Sequence, residues 1–197
     1  DGGFDEALTN IVTPGYFGTM GMKIVGGRDF TDGDTAEAPD VVMVNETLAR
    51  RDRKSRHLAA ARQLEGAFGS AEQEIAEVVA AHYLAAYEAH VDADDAGEIK
   101  TRARELLARA AERAGSLGAL GEARRSYEQA AELSDEPVER ALRLEMASIK
   151  AQGNAEFEAG EQALRAALEL LGQTGELHAA ARVSGRLGNL EVQTGRG

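Results

Sequence analysis

The chain has 197 residues, no cysteine and a net charge of −12, with 43% hydrophobic residues and only 5% aromatic ones. The missing cysteine excludes a disulfide framework, thiolate catalysis and cysteine-ligated zinc, and fits a reducing compartment. The acidity argues against nucleic acid or an anionic membrane as the main partner, since both require a surplus of Lys and Arg.

The length allows one ordinary domain or two small ones, and a core dominated by alanine suits close-packed helices better than a β sandwich. The longest weakly polar run, Val78 to Tyr87, is broken by His82 and is about half of what a bilayer-spanning helix needs. The opening DGGFDEAL has neither a basic n-region nor an apolar h-region. It also lacks an initiator methionine, so the chain reads as a piece of something longer.

Residues 1–50 carry eight of the 22 glycines, four of the nine Phe and Tyr residues, and the β-like runs Leu8 to Val12, Met22 to Val25 and Val41 to Val44. Asn10 to Val12 reads as a short strand. Thr13-Pro14 then starts a helix over Gly15 to Met20, with proline at its first position and Gly21 after its end. MKIVGGRDF returns as an extended segment, an acidic loop TDGDTAEAPD follows, and VVMVN reads as a buried strand whose Asn45 caps the helix ETLAR. The words IVTPGYFGTMGMKIVGGRDF and APDVVMVNETLAR resemble the extracytoplasmic core segment of MacB-like ABC-transporter permeases. That resemblance implies a part in coupling conformational change across a membrane, with no catalytic residue to carry over.

From Arg50 the composition shifts to Ala, Glu, Arg and Leu, which places a domain boundary there. The cluster Arg50, Arg51, Arg53, Lys54, Arg56 and His57 is a candidate phosphate patch, better read as a basic helix start or linker beside an acidic molecule. Helices are predicted over His57 to Phe68, Ser70 to His90, Ala96 to Ser116, Gly121 to Ser134, Pro137 to Gln152, Ala155 to Leu171 and Glu176 to Gln193. Ser70 with Gln73 forms a capping box, and Asp94 or Asp95 caps the helix after it.

Within LLARAAERAGSLGALGEARRSYEQAAELSDEP, the residues Leu107, Ala110, Ala111 and Ala114 form one helical stripe. Leu120, Ala123, Tyr127, Ala130 and Leu133 form a second, with Gly115, Gly118 and Gly121 at the turn between them. Ala111, Gly118, the Ala123, Tyr127, Ala130 run and Pro137 resemble a tetratricopeptide (TPR) repeat, which implies antiparallel helix pairs and partner binding. The run Ala159, Ala163, Ala166 matches Ala123, Tyr127, Ala130 after 36 residues, and Gly153 and Gly195 stand as further turn glycines. The final helix over Glu176 to Gln193 lacks a following partner and is expected to be poorly supported.

The wording of 51–197, including RDRKSRHLAAARQLE, RARELLARAAERA and HAAARVSGRL, is similar to the TPR-like C-terminal region of bacterial adenylate/guanylate cyclase proteins that carry an AAA-type ATPase module. The resemblance implies a regulatory or scaffolding segment. The catalytic parts of that family have no counterpart here: there is no GxxxxGK[ST] loop to cradle phosphates and no cyclase domain. Near Arg50, pieces resembling unrelated families adjoin, by fusion, assembly or design.

No residue is assigned a catalytic, cofactor-binding or metal-binding role. His57, His82, His90 and His178 show no ligand spacing. Asp92, Asp94 and Asp95, like Asp32 and Asp34, lack the remaining positions of a calcium loop and read as caps. The Gly15, Gly18, Gly21 series and Gly26-Gly27 read as turns, and no GxSxG elbow occurs. Glu98 with Arg102 and Glu122 with Arg125 have the spacing of surface ion pairs.

The sequence therefore predicts a mainly α fold, an irregular TPR-like stack of antiparallel helix pairs over 51–197 preceded by a small α/β segment over 1–50. It predicts a non-enzymatic interaction or regulatory module without cofactor, cytoplasmic, bound to a protein partner or to neighbouring domains of a longer bacterial signalling ATPase/cyclase. The alternative is a fragment of an ABC-transporter permease at the periplasmic face of the membrane. In neither reading does the chain itself insert into a membrane or bind nucleic acid.

Overall fold

The computed structural model describes residues 12–35, 37–39, 42–68 and 72–195, and every regular element among them is a helix. The chain divides between Ala49 and Arg50 into two units.

In the first unit, α1 (Tyr16–Thr19) is a single turn entered through a left-handed Gly15. Its Phe17 ring lies 6.1 Å from Phe30 and 5.5 Å from Tyr16, centroid to centroid. Arg28 grips Asp34 with two parallel hydrogen bonds of 2.7 and 2.6 Å. The backbone N–H of Thr31 donates to the same carboxylate at 2.8 Å. The Arg28 guanidinium first, and then Thr31, hold the Asp34 carboxyl well below the usual range. Asp34 therefore pins the acidic loop through an ion pair across six residues.

The strands expected in this unit are corrected. Within the described residues Met22 to Val25 and Val42 to Val44 form none, and Leu8 to Ile11 lie outside those residues. An apolar run becomes a strand only when its backbone is paired and its side chains are covered. Here Val25 is 78% exposed and Val42 80% exposed.

The remaining helices are α2 (Glu46–Phe68), α3 (Glu72–Ala89), α4 (Ala96–Ser116), α5 (Leu120–Glu132), α6 (Pro137–Gly153), α7 (Phe157–Thr174) and α8 (Leu177–Gln193). Asn45 caps α2 as expected, its Oδ1 accepting from the Leu48 N–H at 2.7 Å. The helix then continues through Arg50 to His57, so the basic cluster is neither a helix start nor a linker. Arg and Lys are good helix formers, and their long side chains need no buried face to keep the backbone helical. Ser70, half of the expected capping box, lies outside the described residues.

From α3 onward each helix packs on the one that follows it in the chain. Among the described residues the core lies in four clusters, two of them large. One joins α2 to α5 around Ala61, Val79, Leu106 and Leu133. The other joins α6, α7 and α8 around Leu164, Leu171, Val183, Leu187 and Leu190. Tyr127 of α5, 1% exposed, sits between them against Ala111 of α4 and Ala147 of α6.

The burial pattern of α4–α5 recurs in α6–α7 at a spacing of 37 residues, not 36. Ala123, Tyr127 and Ala130 are buried in α5, and Gly160, Leu164 and Ala167 in α7, whereas Ala166 is exposed. The helix ends repeat with the same offset. Gly118 is left-handed after α4, with the Ala119 N–H bonded to Ala114 O at 2.9 Å. Ala155 is left-handed after α6, with the Glu156 N–H bonded to Ala151 O at 2.9 Å. Both are six-to-one closures that satisfy carbonyls left open at a helix end. The turn residue after α6 is therefore Ala155, and Gly153 is helical.

Ala155 at φ 58° carries a Cβ where the backbone favours glycine. Ala155→Gly is expected to raise stability by about 1 kcal/mol, read as a higher denaturant midpoint at unchanged slope.

Candidate functional site

Arg102 and Arg104 are two residues apart on α4, which at 100° per residue sets them on nearly opposite sides of the helix. Arg102 reaches back to Glu65 of α2 at 2.8 Å, and Arg104 reaches forward to Glu139 of α6 at 3.0 Å. Further on, Glu145 of α6 takes Arg182 and Arg186 of α8 at 2.7 and 2.8 Å. Lys54 with Asp95 and Lys100 with Asp135 add two more such links. These pairs join residues 35 to 41 positions apart, so ion pairs stitch α2 to α4, α4 to α6 and α6 to α8. Long side chains thus link the alternate helices of the second unit.

Between Arg102 and Arg104, away from the core, α4 offers an exposed stripe of Glu98, Glu105, Arg109 and Glu112. α6 contributes Val138 and Leu142, 42% and 46% exposed, and α8 contributes Arg182 and Arg186. This face is made by the first helices of successive pairs. Its ion pairs were only partly legible: Arg102 meets Glu105 on its own helix at 3.7 Å, as the spacing allows, but makes its shorter contact, 2.8 Å, with Glu65 of α2.

Glu145 is the most buried ionisable group on this face, at 3% exposure. It accepts from Arg182 Nε and Nη2 and from Arg186 Nε. The hydrogen bonds from Arg182, opposed by burial, hold its carboxyl below the usual glutamate range.

The basic cluster disperses around α2. Arg51 and Lys54 share a stripe with Arg62 and line one wall of a cleft of about 710 Å³, while His90, Asp92 and Asp95 line the other. Arg56 pairs with Asp52 on its own helix at 2.9 Å, and His57 turns to α3. A phosphate entering the cleft would meet carboxylates as well as cations, and Asp95 already holds Lys54, which keeps the Asp95 carboxyl low. Asp95 precedes α4 but makes no side-chain cap bond; its oxygen serves Lys54 instead.

The structure brings together one pair of histidines that sequence spacing kept apart. His57 of α2 and His82 of α3 are 25 residues apart, and their Nδ1 atoms lie 3.1 Å from each other. Only the antiparallel return of α3 along α2 could reveal this. Two nitrogens fall short of a metal centre, and among the described residues no group of three His, Asp or Glu side chains is placed to hold one. Among the described residues no helix is long and apolar enough to cross a membrane.

No family model and no curated protein matches the chain.

Proposed function

We propose that 51–197 act as a non-catalytic, TPR-like interaction module that presents the joined faces of α2, α4, α6 and α8 to a protein partner. The partner is either a separate chain or a neighbouring domain of a larger bacterial signalling ATPase/cyclase in the cytoplasm. The observation that carries the reading is the set of ion pairs between alternate helices, 35 to 41 residues apart. A repeating helix pair produces such a spacing, because a stacked unit touches only its neighbours. The 37-residue recurrence of small buried residues supports the same reading.

The test immobilises the chain and challenges it with lysate of a bacterium that carries cyclase and AAA-type modules. A specific protein should be retained, and Glu105→Lys with Glu112→Lys on α4 should lower its recovery about tenfold through like-charge contacts. Glu169→Lys, on the exposed side of α7, should leave recovery unchanged. A folded, monodisperse chain that retains nothing, or retention indifferent to the α4 changes, defeats the proposal. Measurable cyclase or ATPase turnover by the chain alone defeats its non-catalytic part.

A further inference from the structure

We propose that His57 and His82 form an acid-sensitive latch between α2 and α3. Their Nδ1 atoms are 3.1 Å apart while the ring centroids are 5.4 Å apart. The difference is about what two ring radii add, so the rings meet nose to nose, with one N–H directed at the other ring's lone pair. One Nδ1 donates and the other accepts.

A neutral pair makes this bond, and so does a pair with one extra proton, which sits on a far Nε2. A second proton changes the chemistry. Both Nδ1 atoms then carry N–H groups, there is no acceptor, and two cations face each other at contact distance.

The surroundings offer little to offset that repulsion. On α2, Arg53 and Lys54 lie one turn before His57, with Arg56 beside it, and Lys54 is occupied by Asp95. On α3, one turn to either side of His82 are Val78, Val79, Ala85 and Ala86. Of the carboxylates about this seam, Asp52 pairs with Arg56, Asp95 with Lys54, and Glu65 of α2 bridges Tyr83 of α3 and Arg102 of α4. Arginine and lysine keep their charge throughout, and carboxylates ordinarily titrate near pH 4. Imidazole is the side chain whose ordinary charge change falls between pH 5 and 8, and the imidazoles here are those of His57 and His82, with His90 in the nearby cleft.

The bonded form binds fewer protons than the separated rings. By linkage its contribution is present at neutral pH and disappears as the pH falls.

The experiment compares thermal midpoints of the full chain and of His57→Gln between pH 8 and 5, with His90→Gln as control. The His57 variant should melt about 2–4 °C lower at pH 8, and the gap should close at pH 5. His90→Gln should track the parent at every pH. A gap that stays constant with pH, or one reproduced by His90→Gln, overturns the latch. Should His57→Gln not fold, ring-proton NMR titration of the parent decides. Coupled curves for His57 and His82 support the latch, and independent one-step curves matching that of exposed His178 overturn it.

Discussion

Tyr127→Ala is expected to remove about 3–5 kcal/mol of stability, the range for deleting a buried aromatic ring. Tyr127 heads the largest fully buried side chains, and its neighbours Ala111 and Ala147 are already too small to close over the space it leaves. Tyr127→Phe keeps the ring and should stay within about 1 kcal/mol of the parent. The ring also packs α4 and α5, which carry part of one large cluster, against α6, which carries part of the other. Its loss should therefore split one denaturation transition into two, with far-ultraviolet dichroism and Tyr fluorescence no longer coincident. A variant that melts in a single step with less than about 1 kcal/mol lost would refute the role assigned to the ring.

The second large effect lies at Glu145. Arg182→Ala with Arg186→Ala leaves a carboxylate of 4% side-chain exposure without its cationic partners. Breaking a fully buried pair costs about 3–5 kcal/mol. Both arginines are themselves about half exposed, at 52% and 43%, and water can enter where they stood, so about 2–3 kcal/mol is expected. Glu145→Gln should cost less, because the two guanidiniums return to solvent and an amide remains to accept a hydrogen bond.

Acid separates these variants. In the parent, Glu145 has a depressed folded pKa, so its contribution is complete above the unfolded value near pH 4.3 and is lost as the pH falls through the folded one. Without the arginines burial pushes the carboxyl up instead, so lowering the pH should narrow the gap between parent and double variant. Denaturant midpoints measured from pH 7 to 3 test this, and a gap that widens in acid contradicts it.

The helices from α4 to α8 were legible because alanine and leucine fall at helical spacing on them, and Pro137 marks the start of α6 while Gly118 marks the end of α4. α2 was split in the reading because RRDRKSRH carries no apolar stripe, and a helix held by propensity alone leaves no periodic signal. The valine-rich runs near Val25 and Val42 misled for the opposite reason: composition suited a strand, but pairing is a property of the partner. The α7 register slipped by one residue because Gly160 and Leu164 replace the alanine and tyrosine that the pattern sought. Most of the candidate face was invisible for a further reason. Which of Glu98, Glu105 or Glu65 would claim Arg102, and that His57 would meet His82, depends on how neighbouring helices turn back on one another.

From α3 to α8 every major packing surface lies between consecutive helices. Such a chain closes only short loops at each step, so its topology predicts a fast search for the native state. Structure can start at any well-packed hairpin, with α4 and α5 the natural seed because they bury the densest alanine and leucine faces, and spread outward like a row of tiles, each laid against the last.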